Sequence, residues 1–395
     1  MVDVIFGSVW ATVATIAGAL SIVTGLFGFG YRVGHWRGHL KNPDEMAVRQ
    51  ANRERDVAEQ QLNEIKGQIA LRSSEVRRYS ALKEALIGGE KALWNSHRTE
   101  PFEGYDRLVQ TNDVHVLTVM NLKGGVGKTT LATNLAAYFD QHLNKRVLFV
   151  DLDYQGSATT AMLNLVGLED IPTQNASKVF TEQGRLPSVA ELALHAMRPL
   201  ARTELVPCNY SFSAIENKEM VKWLFQENQT DPRFALAKVI FSDEFRERYD
   251  VVIIDAPPRL SLGAINALTC CRTILVPTIP DSMSTEAVGN FTAQLNSLAP
   301  ILNPSLSKLL LGVNKTGATK MNPAEIRAVE RAFEDMRNWN GISRVVPTNI
   351  PDRVAFSKAS TERSLAWLLN DTNAVQIRDI ISKFGDYVAR ETGII

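Results

Sequence analysis

The sequence predicts an α/β fold in which a mainly parallel sheet carries helices on both faces. Three observations lead there. Short apolar runs at 114–120, 147–150, 251–254, 273–277, 309–313 and 344–347 alternate with helical segments, and strands separated by helix-sized connections pair in parallel. The first run leads into Lys123-Gly124-Gly125-Val126-Gly127-Lys128-Thr129-Thr130, a glycine-rich turn that opens an amphipathic segment. Asp151, Asp153 and Asp255 each follow an apolar run, which gathers acids at the carboxyl ends of the strands, where such sheets bind ligands.

Two elements precede the sheet. No charged residue occurs from 4 to 31, a stretch long enough to cross a bilayer with some tilt, so residues 1–35 are expected to form a transmembrane anchor. Met1-Val2-Asp3 offers no basic start for a cleaved leader. Arg32, Arg37 and Lys41 follow with no acid between them, and the positive-inside rule then puts everything downstream in the cytoplasm, on a single-pass protein of the inner membrane. Asn42-Pro43-Asp44-Glu45 next combines an N-cap, a proline at the first helical position and an acid three residues after the cap. The helix it opens should stop at Gly88-Gly89. Written as heptads, its a positions are Val48, Arg55, Leu62, Ile69, Val76 and Lys83, and its d positions are Ala51, Ala58, Ile65, Arg72, Tyr79 and Leu86. Nine of these twelve are apolar, a coiled-coil pattern interrupted by three charges. Residues 36–89 therefore read either as a self-pairing stalk or as a helix lying on its own domain or another subunit. Residues 90–111 read as a connector and 112–395 as the sheet domain.

Composition limits the partners. With 43 basic and 43 acidic residues the formal charge is zero, so no global field recruits a polyanion. Arg327, Arg331, Arg337, Arg344, Arg353 and Arg363 could form a local patch for DNA. Glu325, Glu330, Glu334 and Asp335 interleave with them, which favours a solvated face with internal ion pairs. Cys208, Cys270 and Cys271 show no metal spacing and suit a reducing compartment.

The glycine-rich turn carries the chemistry. Gly124, Gly125 and Gly127 allow positive φ and let successive N–H groups converge, where a helix N-terminus adds its positive end. Polyphosphate is the expected guest: Lys128 reaches the β/γ oxygens, Thr129 ligates Mg²⁺, and Thr130 lies near the α-phosphate. The strict G-x-x-x-x-G-K-[ST] pattern would put glycine where Leu122 stands, so the K-G-G-x-G-K-T form carries the assignment to a P-loop NTPase.

That loop, with its extra lysine at Lys123, resembles the deviant Walker ATPases of the ParA/MinD family. Further blocks resemble it in order. Asp151-Leu152-Asp153-Tyr154-Gln155-Gly156 matches a D-L-D-P-Q-G segment with tyrosine in place of proline. Leu205 to Asn209 matches the segment before the next helix. Asp255-Ala256-Pro257-Pro258 matches the Walker B strand end, and Ile350-Pro351-Asp352-Arg353 with Ser357 to Ser360 matches the segment near adenine. The resemblance spans about 112–390. It implies a slow, partner-stimulated ATPase that forms an ATP-dependent homodimer, with Lys123 crossing the two-fold interface to the partner's phosphates. By the same resemblance Asp153 orients the attacking water, Asp255 belongs to the Mg²⁺ shell, and Asp151 supports the metal or Lys128. Asn314, Pro351 and Asp352 would face adenine and ribose. The amphipathic tail at 375–388 is similar to the membrane-targeting helix of MinD, but an N-terminal span makes a second anchor redundant, and packing on the domain is expected. The whole reads as a membrane-anchored ATP switch controlling assembly or positioning of an unidentified partner complex. Two alternatives stay open: an ATP-binding membrane scaffold with little turnover, and a bacterial tyrosine kinase. Such kinases carry tyrosine-rich tails, whereas the last 20 residues hold only Tyr387.

Overall fold

The computed structural model describes residues 45–111, 113–168, 173–181, 185–195, 197–317, 321–370 and 372–395. The expected transmembrane anchor and the cap at 42–44 lie outside them. Among the described residues no helix is long and apolar enough to cross a membrane. The chain divides into two compact units, one ending at Ser96 and the other beginning at His97.

In the first unit a helix of 43 residues, Glu45–Ile87, spans about 65 Å at 1.5 Å per residue. It stops at the expected glycine pair, where Gly89 takes φ +79°, a conformation that costs other residues energy. Two of the charged seam positions are turned into pairs along the helix: Arg55 lies 3.6 Å from Glu59, and Arg72 lies 3.1 Å from Glu75. Leu71, Val76, Tyr79 and Leu86 remain exposed. A helix polar on most sides needs such pairs, or a partner, to persist.

Among the described residues the second unit is built on eight strands: β1 (His115–Val119), β2 (Val147–Asp151), β3 (Thr203–Val206), β4 (Val251–Asp255), β5 (Thr273–Thr278), β6 (Lys308–Thr316), β7 (Ile342–Val345) and β8 (Ile350–Pro351). Their order is β3-β2-β4-β1-β5-β6-β7, with β8 beside β6, and all these pairings are parallel. β2, β4 and β5 are buried at every residue, as their unbroken apolar runs require of strands covered on both faces. β3 and β8 were not among the expected strands. β3 is a four-residue edge strand containing Glu204, and β8 has only two residues, too few to show a period. β7 ends before the expected 347, because a proline there has no N–H for the ladder.

The domain starts earlier than the expected 112. The Tyr105 hydroxyl donates to the carbonyls of Thr269 (2.8 Å) and Leu302 (3.2 Å), and Arg233 donates to the Arg98 carbonyl at 2.9 Å. Residues 97–111 of the expected connector are thus part of the sheet domain. The C-terminal helix Thr372–Thr392 packs as expected of the amphipathic tail. Ile377, Ile381, Phe384 and Val388, on one helical stripe, are buried in the same core as Leu131, Leu135 and Tyr138 of helix Lys128–Gln141, and the Tyr138 hydroxyl donates to Asp386.

Candidate functional site

The loop between β1 and helix Lys128–Gln141 is fastened from behind. Asn121 donates its amide to the Pro277 carbonyl (2.7 Å) and accepts the Lys123 N–H (3.1 Å). Asn314 Nδ2 donates to the Val126 carbonyl at 2.8 Å, and Lys315 Nζ to the Gly125 carbonyl at 3.0 Å. Carbonyls so engaged cannot face an anion, and the loop's N–H groups are what remains for it. Gly127 sits at φ +92°, and a Cβ there would lie 2.0 Å from Asn314 Nδ2. Only glycine fits.

A cavity of about 470 Å³ opens over this loop, lined by Gly124, Gly125, Gly127, Lys128, Thr129 and Thr130. Asp153, Gln155 and Pro258 form one side, Lys315, Phe356 and Leu365 another. Lys128 is 7% exposed, and its Nζ donates to the Lys123 carbonyl at 3.0 Å. Burial lowers its pKa, against the pull of Asp255 and Asp153. The Thr129 hydroxyl donates to Asp255 Oδ2 at 2.7 Å. Asp255 Oδ1 is buried and accepts no hydrogen bond among the described residues.

Asp151 and Asp255 are register partners on β2 and β4. Burial pushes Asp151 up to about 7. Burial, and next the Asp151 charge, raise Asp255 well above the carboxylate range. Two acids side by side in a dry sheet need cations. A hydroxyl beside a carboxylate oxygen with nothing to accept is a hard-oxygen donor set that suits Mg²⁺, which takes one or two carboxylates and keeps other positions for phosphate and water.

The remaining expected residues divide. Asp151 is engaged by its own turn: its Oδ1 accepts the Asp153 N–H (3.0 Å), and its Oδ2 accepts the Thr159 N–H (2.9 Å) and hydroxyl (2.7 Å). It clamps the turn that presents Asp153. In that turn Asp153 Oδ1 accepts the Gln155 N–H at 3.1 Å. Lys123 Nζ is held within its own chain, donating to Ser284 Oγ (2.8 Å) and Asp281 Oδ1 (3.2 Å). Although burial opposes it, hydrogen bonds from Ser284 and Lys123 hold Asp281 below the ordinary carboxylate value.

The far wall brings in further residues. Asn314 stands behind the loop, Pro351 lies in β8, and the Asp352 N–H is spent on the Thr316 carbonyl at 2.9 Å. None of the three lines the cavity; Phe356, Ala359 and residues 364–366 do. Asn134 Oδ1 accepts the Trp367 N–H at 2.8 Å and ties this wall to the helix after the loop. The 357–360 motif pointed to this region. Nothing marked Lys315, a lysine at φ +51°, because side-chain type does not advertise that backbone conformation.

The chain is similar to several known proteins. A family described as an AAA domain matches residues 114–308. The chromosome-partitioning ATPase Soj of Thermus thermophilus is 30% identical over 240 residues, covering 60% of this chain and 82% of that protein. The sporulation initiation inhibitor protein Soj of Bacillus subtilis is 27% identical over 248 residues, 62% of this chain and 87% of that one. In structure the chain is similar to the ATP complex of McdA from Cyanothece, with a TM-score of 0.55 and 17% identity over 71% of this chain and 97% of the other, a likeness of fold.

Proposed function

Since the chain belongs to the ParA/Soj type of P-loop ATPases, we propose that it is a membrane-anchored switch. It binds Mg-ATP, pairs with a second copy across the nucleotides, and hydrolyses ATP slowly under the control of a partner complex that it assembles or positions. The observation that carries the proposal is the half-buried Thr129 hydroxyl on the buried Asp255 carboxylate, whose Oδ1 is unsatisfied among the described residues, at the foot of a glycine loop backed by a buried lysine.

In phosphoryl transfer the protein's work is placement and charge neutralisation. The loop's N–H groups and Lys128 take up the phosphates. Thr129 and Asp255 would hold Mg²⁺, which supplies charge neutralisation on the phosphate oxygens. Asp153, on the cavity wall, orients the attacking water. For Lys123 to reach a partner's nucleotide it must exchange Asp281 and Ser284 for phosphate, a multiply charged acceptor that makes stronger charge-assisted hydrogen bonds. Nucleotide state then biases association, because a contact made in only one state shifts the equilibrium. The uncharged stretch at 4–31 and the basic residues after it support the anchor and the cytoplasmic side.

The test is sedimentation of the 395-residue chain in detergent with ATP, with ADP and without nucleotide, alongside phosphate release. A dimer seen only with ATP, together with turnover, is expected. Dimers independent of nucleotide overturn the switch, and ATP-dependent dimers that release no phosphate identify the scaffold instead.

A further inference from the structure

We infer that Arg259 is a positioning residue for hydrolysis, fixing the turn that carries Asp153 from a seat between the Tyr154 ring and the buried carboxylate of Glu216. The inference rests on the ATPase reading above. Beyond β4 the chain runs Ala256-Pro257-Pro258-Arg259, so this arginine follows directly on the cavity wall at Pro258. Its guanidinium carbon lies 5.3 Å from the centre of the Tyr154 ring, within cation–π range. One of its nitrogens lies 3.7 Å from Glu216 Oε2.

Glu216 explains why a cation belongs there. Its side chain is 3% exposed. Oε1 accepts the Ser261 hydroxyl and the Gly263 N–H, both at 2.6 Å, while Oε2 accepts no hydrogen bond among the described residues. A buried carboxylate left half satisfied is costly unless positive charge stands close by, and Arg259 supplies it. Glu216 belongs to helix Ser211–Leu224. The residue capping that helix, Tyr210, meets Tyr154 edge-on at 5.9 Å. The Asp153 turn is thus bound to one helix twice, by Tyr210 directly and through Arg259 by Glu216.

The departure at Tyr154 gives this pairing a purpose. The resembling segment has proline there, and proline fixes φ by its own ring. Tyrosine leaves the backbone freer, and the contacts of its side chain take over the restraint. Arg259 touches no reacting group, so its effect passes through the turn. Its side chain is 46% exposed, and removing the guanidinium opens no hole in the core.

Steady-state kinetics with ATP separate the possibilities. Arg259→Ala should lower kcat by about 10- to 100-fold, the usual cost of a small misplacement, with KM within about twofold; the melting temperature should fall, because Glu216 loses its cation, while the chain stays folded at the assay temperature. Tyr154→Phe keeps the ring face and should stay within about twofold of wild type, whereas Tyr154→Leu should fall as far as Arg259→Ala. Combining Arg259→Ala with Tyr154→Leu should cost no more than either alone, since the two act as a unit. An unchanged kcat in Arg259→Ala, equal losses in Tyr154→Phe and Tyr154→Leu, or multiplying losses in the double variant each overturn the inference while leaving the ATPase reading intact. A wild-type chain that releases no phosphate overturns both.

Discussion

The paired acids at the ends of β2 and β4 make the site sensitive to pH. Both Asp151 and Asp255 have raised folded-state pKa values, Asp151 to about 7 from 3.8. A carboxyl that holds its proton more tightly when folded contributes stability below its ordinary pKa and loses it as pH rises through the folded value. In buffer without nucleotide or Mg²⁺, Asp255→Asn removes the charge and keeps an acceptor for Thr129. It should therefore melt above wild type at pH 8, with the gap closing toward pH 5. A gap of about 2–4 °C would correspond to about 1 kcal/mol in a domain of this size. With Mg-ATP the sign should invert, wild type gaining stability and the variant little. A gap independent of pH would remove the electrostatic account. A single methyl group tests the loop itself: Gly127→Ala meets Asn314 Nδ2 at 2.0 Å and also needs φ +92°, so nucleotide binding by fluorescence titration should be lost while the sheet still folds. Lys123→Ala should instead leave nucleotide binding close to wild type and abolish the ATP-dependent dimer in sedimentation, because its present partners Asp281 and Ser284 lie outside the cavity lining.

Among the elements, what could be read from sequence was what local pattern determines. Five of the six expected strands are largely buried apolar runs, β7 being half exposed, and the loop's glycines and lysines sit together in the chain, so both appear where expected. The long helix ends at Gly88-Gly89 because the stop signal is local. β3 and β8 escaped because short edge strands owe their pairing to a neighbour already in place. The far wall of the cavity escaped because Lys315, Phe356 and Leu365 meet only after the sheet has formed. Asp151 and Asp255 end equivalent strands, and the hydrogen bonds from Thr159 and Asp153, which only the folded turn supplies, are what distinguish Asp151. The early start of the domain has the same origin. Arg233 is fully buried and Asp231 is 4% exposed, with 2.6 Å between them. The same pair holds the Arg98 carbonyl and the Glu100 N–H, far away in sequence. Asp231→Ala leaves a buried guanidinium without its carboxylate and should cost about 3–5 kcal/mol in denaturant unfolding. A loss under about 1 kcal/mol would mean that the remaining contacts of the guanidinium, among them the Arg98 carbonyl and the Trp223 ring 4.7 Å from its carbon, are enough to hold the charge.

At the scale of the whole molecule, the ATPase domain and the N-terminal helix make separate demands on association. A nucleotide-gated interface acting alone would make dimerisation depend steeply on protein concentration. If the stalk self-pairs, two copies already share a high local concentration, and ATP controls the geometry of the pair more than its existence. The helix Glu45–Ile87 leaves this to be decided by its seam, where Leu62, Ile65 and Ile69 are each only partly covered. Replacing Leu62 and Ile69 by lysine puts charges on that seam and changes no residue of the second unit. With a self-pairing stalk, the protein concentration giving half-maximal ATP-dependent dimer should rise by about 10²-fold or more, in line with the loss of a tether, while kcat at saturating concentration stays the same. Sedimentation across a dilution series reads the first quantity and phosphate release the second. An unchanged midpoint would mean that the stalk lies along some other surface, and that the Lys123 interface brings the two copies together unaided.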